Sequence, residues 1–90
     1  MIARRFIVQG RVQGVGFRWF VLQNVAGSGL SGWTRNLSDG RVEVHAQGEP
    51  EAIAALAMDL RKGPRAARVD AVETIESEPD LSLSDFSVRY

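Results

Sequence analysis

The sequence predicts an α+β sandwich, with one antiparallel sheet of about five strands and two helices on one of its faces. Three observations lead there. Apolar and polar residues alternate over the first dozen positions, and a helical apolar period runs from Pro50 to Lys62. The elements follow the order β-α-β-β-α-β-β, a split β-α-β unit with one added strand. Ninety residues are enough for one modest core, so residues 1–90 are expected to form a single domain.

Residues 4–12 read as a strand with Phe6, Val8 and Val12 on one face and Arg5, Gln9 and Arg11 on the other. Gln13-Gly14-Val15-Gly16 breaks that pattern. Phe17–Ala26 then reads as a helix, with Val21, Leu22 and Val25 at helical spacing and Gly27-Ser28-Gly29 as its stop. Strands are expected at about 30–36 and 41–47, joined by the turn Leu37-Ser38-Asp39-Gly40. In the second of these, Val42, Val44 and Ala46 face inward, while Arg41, Glu43, His45 and Gln47 face water. Pro50 opens the next helix, Ile53, Leu56, Ala57 and Leu60 form its apolar stripe, and Gly63-Pro64 closes it. Residues 67–76 form a strand in which Val69 and Val72 break strict alternation, the mark of a bulge. After Pro79 a short last strand places Phe86, Val88 and Tyr90 on one face.

The chain has no cysteine, so neither a disulfide framework nor a thiolate metal site exists. Met1–Phe6 starts no apolar block of signal-peptide length and no stretch spans a bilayer, which makes a cytoplasmic location the expectation. Net charge is zero, which disfavours bulk binding to nucleic acid or membrane. The charge is unevenly spread. Arg4, Arg5, Arg11, Arg18 and Arg35 precede the first acidic residue, Asp39, so the first 38 residues hold +5 and the rest −5. Either an anion is handled by the N-terminal half or the asymmetry is chance.

The informative segment is Gly10-Arg11-Val12-Gln13-Gly14-Val15-Gly16-Phe17-Arg18, which runs from a strand into a helix. Glycines 14 and 16 let the backbone curl and bring consecutive N–H groups towards a ligand. The first helical amides lack partners in their own helix, and the helix dipole adds positive charge there. The backbone amides of Gln13, Gly14, Val15, Gly16 and Phe17 thus read as an anion cradle. A cation in the first helical turn is misplaced by roughly 0.3–1 kcal/mol unless an anion joins it. Arg18 offers that anion a planar fork of donors. Without the loop, Arg18 would read as a solvated side chain covering Trp19.

The third glycine of a dinucleotide fingerprint and the Gly-Lys-Ser/Thr of a nucleotide loop are both missing. A short loop with one arginine suits a single phosphoryl group. No Asp, Glu, Cys or His lies in the loop, so no general base is visible. His45, the only histidine, reads as a solvated strand residue, and no metal-ligand cluster is present. Trp19, Phe20 and Trp33 read as core or rim packing.

Gly10–Arg18 closely resembles the loop of the acylphosphatase family. So do Gly29-Leu30-Ser31-Gly32-Trp33-Thr34-Arg35-Asn36-Leu37 with the following Asp39-Gly40-Arg41-Val42-Glu43-Val44, and the ending Phe86-Ser87-Val88-Arg89-Tyr90. The resemblance implies a ferredoxin-like fold and metal-independent, cofactor-free hydrolysis of acyl phosphates. It implies that the loop amides and Arg18 bind the phosphate and that Asn36 orients the attacking water. Without it, Asn36 would read as the cap of the Asn36–Gly40 turn. The implied partner is a small acyl phosphate, acted on by a monomer with no nucleic acid or membrane involved. Where similar proteins run a charged helix up to Gly-Leu-Ser-Gly, this chain has Gln23–Gly29, so the first helix is expected to be short or to fray. Two rivals stand beside this reading: the acylphosphatase-like module of the hydrogenase-maturation carbamoyltransferase, and an RNA-binding domain of similar topology. The latter needs exposed aromatics and a basic sheet face.

Overall fold

The alternating N-terminus forms β1 (Ile2–Arg11), and the chain continues through α1 (Phe17–Val25), β2 (Ser31–Asn36), β3 (Val42–Gly48), α2 (Pro50–Lys62), β4 (Arg68–Ser77) and β5 (Phe86–Val88). The computed structural model describes all ninety residues, and the element order is the predicted one. The strands lie in the order β4-β1-β3-β2-β5. β1 pairs antiparallel with β3 and β4, and β2 antiparallel with β3. Helix α2 packs over β1, β3 and β4, and α1 over β2 and β5, giving the ferredoxin-like α+β sandwich. No helix is long and apolar enough to cross a membrane.

The core lies between helices and sheet. Phe6 and Val8 of β1 and Val42, Val44 and Ala46 of β3 meet Phe17, Val21 and Val25 of α1 and Ile53, Leu56 and Leu60 of α2. Each set follows its own period, two for strands and three or four for helices, so one face of every element is removed from water. Helix α2 starts on Pro50 and ends where the Gly63 N–H donates to Asp59 O (2.9 Å), with Glu51 in the first turn and Arg61 and Lys62 in the last, as the helix dipole favours. Helix α1 stops at Val25. The Ser28 hydroxyl donates to Val25 O (2.6 Å) and accepts from the Leu30 N–H (3.1 Å), which fixes the exit. The expected bulge is present: Gln9 pairs with Ala71 and Gly10 with Val69, leaving Asp70 as the extra residue.

Two expectations are corrected. The sheet is mixed, because β5 runs parallel to β2, pairing Gly32 with Phe86 and Thr34 with Val88. β4 occupies one edge, so the chain after Ser77 must cross to the far edge, and residues 78–85 deliver it there in the direction of β2.

The second correction concerns β3. Glu43, His45 and Gln47 do point away from the helices, yet they are 3%, 5% and 1% exposed. The crossing segment caps the end of this row: Gln47 Nε2 donates to Asp80 O and the Asp80 N–H donates to Gln47 Oε1, both at 2.8 Å. His45 Nε2 lies 2.9 Å from Gln47 Oε1 and its ring stacks on Trp33. Glu43 is held between Arg5 Nε (2.9 Å) and Arg35 Nε (2.6 Å). Every buried side-chain donor and acceptor has a partner, which is what lets a polar row be buried at all.

Gly32 is the tightest point of that arrangement. Its φ is 153°, and a Cβ there would collide with the His45 carbonyl and lie 2.9 Å from the Phe86 ring. Gly32→Ala is expected to cost at least about 2 kcal/mol of stability in urea unfolding, combining backbone strain with a forced separation of β2 and β3. A loss below about 0.5 kcal/mol, the level of an ordinary surface change, contradicts this packing.

Candidate active site

The loop between β1 and α1 is pinned at both ends by core residues, Val12 at 1% and Phe17 at 2% exposure. Between them Gly14 (φ 73°) and Gly16 (φ 78°) are both left-handed, and nothing lies within 4 Å of where their side chains would be. Left-handed backbone of this kind curls N–H groups into a concave surface. Gly16 is the N-cap of α1 and has no side chain to cap with; no acidic residue occupies the first turn. The first helical bond runs from the Phe20 N–H to Gly16 O (2.9 Å). The amides of Phe17, Arg18 and Trp19 therefore have no helical acceptor and face the positive end of the dipole unneutralised.

Over this helix start lies a cleft of about 350 Å³ lined by Gly14, Gly16, Phe17, Arg18 and Asn36. Arg18 and Asn36 come from different elements, α1 and the last residue of β2. Arg18 is half-buried and enters no ion pair; its guanidinium lies 5.2 Å from the centre of the Tyr90 ring rather than covering Trp19. Asn36 is exposed, and its side-chain amide makes no hydrogen bond with the chain. The turn after it is closed by other groups, Gly40 N–H to Leu37 O (3.2 Å) and Asp39 Oδ1 accepting from the Arg41 N–H (3.1 Å). Capping is thus done by Asp39, and Asn36 is left as part of the cleft lining.

Hydrogen bonding from the Arg41 N–H, aided by the Arg41 guanidinium, holds the Asp39 carboxyl below its usual range. A depressed carboxyl stabilises the fold above its ordinary titration range, and that contribution is lost as pH falls through the depressed value.

The side chains of Gln13 and Val15 do not line the cleft. Val15 packs against the core, and Gln13 has a role that strand-and-loop periodicity does not reveal. Gln13 Nε2 donates to Leu37 O (2.7 Å) and to Arg41 O (3.0 Å), tying the loop to both ends of the turn that follows Asn36. One side chain thereby ties the loop to the turn that follows Asn36.

The positive N-terminal half contributes a single cation to the cleft. Arg5 and Arg35 hold Glu43, and Arg4 approaches Glu76 (3.8 Å). His45 is buried on the opposite face of the sheet, where it was expected to be solvated. Trp33 lies under the guanidinium groups of Arg35 (5.1 Å) and Arg89 (4.7 Å), so it offers no free face for a base.

A family model described as acylphosphatase matches residues 4–88. The acylphosphatase of Koribacter versatilis (strain Ellin345) is 52% identical over 86 residues, which cover 96% of this chain and 78% of that protein. The crystal structure of acylphosphatase from Bacillus subtilis superposes with a TM-score of 0.94 at 38% identity, covering 100% of both chains. T. kodakarensis HypF also contains the fold, with a TM-score of 0.86 and 37% identity over 100% of this chain and 12% of that one. With the match of the family model over most of its length, the chain belongs to the acylphosphatase family, a family of enzymes.

Proposed function

We propose that this protein hydrolyses acyl phosphates to a carboxylate and inorganic phosphate, using Arg18 and the backbone amides of the 13–17 loop to hold the phosphoryl group and Asn36 to hold the attacking water. The observation that supports this most is the pairing of two uncommitted polar side chains, Arg18 and Asn36, over one uncapped helix start.

An acyl phosphate already has a good leaving group, so the protein's task is to position water and stabilise charge on three equatorial oxygens. The loop amides and the Arg18 guanidinium present donors to those oxygens. Asn36 has both a donor and an acceptor and no charge, so it holds a water without repelling the phosphate dianion. The water oxygen forms a bond to phosphorus as the bond from phosphorus to the acyl oxygen breaks, and the carboxylate leaves with that electron pair. No carboxylate, imidazole or thiol lines the cleft, so the proton released by the water passes to a phosphate oxygen. No metal ion is required by these steps, and activity should persist in excess chelator.

With acetyl phosphate as substrate, Arg18→Gln is expected to lower kcat/KM by roughly a hundred- to a thousand-fold and to weaken inhibition by inorganic phosphate. Asn36→Ala should lose roughly a hundred-fold in kcat while phosphate inhibition persists. If both variants match wild type, the site lies elsewhere. Gln13→Glu keeps the shape of the side chain but removes its donor, so kcat should fall roughly ten-fold with phosphate inhibition largely retained. An unchanged kcat denies Gln13 its positioning role. From about pH 5 to 8 the rate should follow only ionisation of the substrate, and a bell with a histidine-like limb would contradict proton transfer to the phosphate.

A further inference from the structure

We propose that the outer face of the sheet, turned away from both helices, carries a second oxyanion site in which Arg5, Arg35 and Arg89 take a short linear polyphosphate, such as a triphosphate.

The three arginines meet because β1, β3, β2 and β5 lie side by side. Glu43 on β3 points outward, is 3% exposed, and fixes two of them. Arg5 of β1 holds one carboxylate oxygen through Nε (2.9 Å), and Arg35 of β2 holds the other through Nε (2.6 Å). Nε is the inner nitrogen of the guanidinium, so the terminal nitrogens of both forks remain as donors. Both side chains are about half exposed.

Arg89, which follows β5, completes the row. Its guanidinium lies 4.7 Å from the centre of the Trp33 ring, and that of Arg35 lies 5.1 Å from the same centre. Arg89 is exposed and enters no ion pair. Asp80 of the crossing segment feels its charge, but the Asp80 carboxylate accepts from the Ser82 hydroxyl (2.6 Å) and N–H (3.0 Å) instead.

Charge and shape decide what fits. Three guanidinium groups share one buried carboxylate, which leaves the row with excess positive charge, and Glu73 on β4 lies beyond Arg5 at its end. A lone surface arginine is ordinary. Three held by a carboxylate and an aromatic ring have already lost much of the freedom that binding would remove. Neighbouring strands lie about 4.8 Å apart, so these cations spread over roughly 10 Å, too far for one phosphate but within reach of three linked ones. Charge-assisted bonds from the fork ends suit such an anion. A nucleoside base adds nothing, because Arg35, Arg89 and His45 already pack on the Trp33 ring.

This row stands back to back with the cleft. Arg35 precedes Asn36, and Arg89 falls between Val88 and Tyr90, and those three neighbours line the cleft. A polyphosphate on the outer face therefore leaves the cleft free for its own anion, while bridging Arg35 to Arg89 ties β5 to β2.

The test titrates sodium triphosphate into labelled protein at low salt, with inorganic phosphate held at a saturating level to fill the cleft. NMR follows the arginine Nε–H groups and the Trp33 indole N–H. Saturable shifts are expected at Arg5, Arg35, Arg89 and Trp33, with affinity falling steeply as salt is added. Arg89→Glu should weaken triphosphate at least about ten-fold and Arg89→Gln about three-fold, while Arg18→Gln leaves this affinity within about two-fold. ATP should bind within about three-fold of triphosphate, and a strong preference for ATP overturns recognition through phosphates alone. Absence of saturable shifts on the outer face, or triphosphate binding that both Arg89 variants leave unchanged, overturns the site.

Discussion

The site depends on a helix that begins with nothing to cap it. Helix α1 opens on left-handed Gly16, without a capping side chain or an acidic residue in its first turn, and Arg18 adds a cation where the dipole is already positive. Each of these choices is unfavourable for an isolated helix, and an anion at the helix start turns all of them favourable together. The core holds the arrangement ready in its absence. Val12 and Phe17 anchor the loop on either side, so the bend is held by burial at its two ends rather than by contacts within the loop.

The proposed hydrolysis requires Asn36 to be held at a fixed distance from that helix start, and two devices share the work. Gln13 bonds the loop to the carbonyls of Leu37 and Arg41. On the far face of the sheet, the buried row Glu43, His45 and Gln47 locks β3 to its neighbours through Arg5, Arg35, Trp33 and the crossing segment at Asp80. Sliding β3 against β2 breaks the Arg35–Glu43 pair, in which the carboxylate is buried and the guanidinium half exposed, and leaves that carboxylate short of a partner. That polar row does not line the cleft, yet it ties together the strand pair from which Asn36 projects.

Local signals in the sequence were enough for the element order, the α2 stripe with its proline start and glycine stop, the bulge at Asp70, and the pairing of a glycine loop with Arg18. Each rests on residues close together in the chain. Interactions between distant segments were not legible. Period-two alternation shows which side of β3 a residue occupies but not whether another segment covers that side, so Glu43, His45 and Gln47 were expected to face water. The direction of β5 depends on the crossing after β4, which no local pattern encodes. The Gln13 side chain acts over 24 and 28 residues of separation, and Leu22 sits at the border between core and cleft, where helical spacing serves both faces. The charge asymmetry was real, yet its cations are spread over both faces of the sheet.

Titrating inorganic phosphate into the labelled protein, while following its backbone amides by NMR, tests the anion cradle most directly. Saturable downfield shifts are expected at Gly14 through Trp19, as those amides gain a charged acceptor, with β4 and the buried polar row unmoved. Saturable shifts centred anywhere else, or a loop indifferent to phosphate at concentrations that inhibit the enzyme, would contradict it.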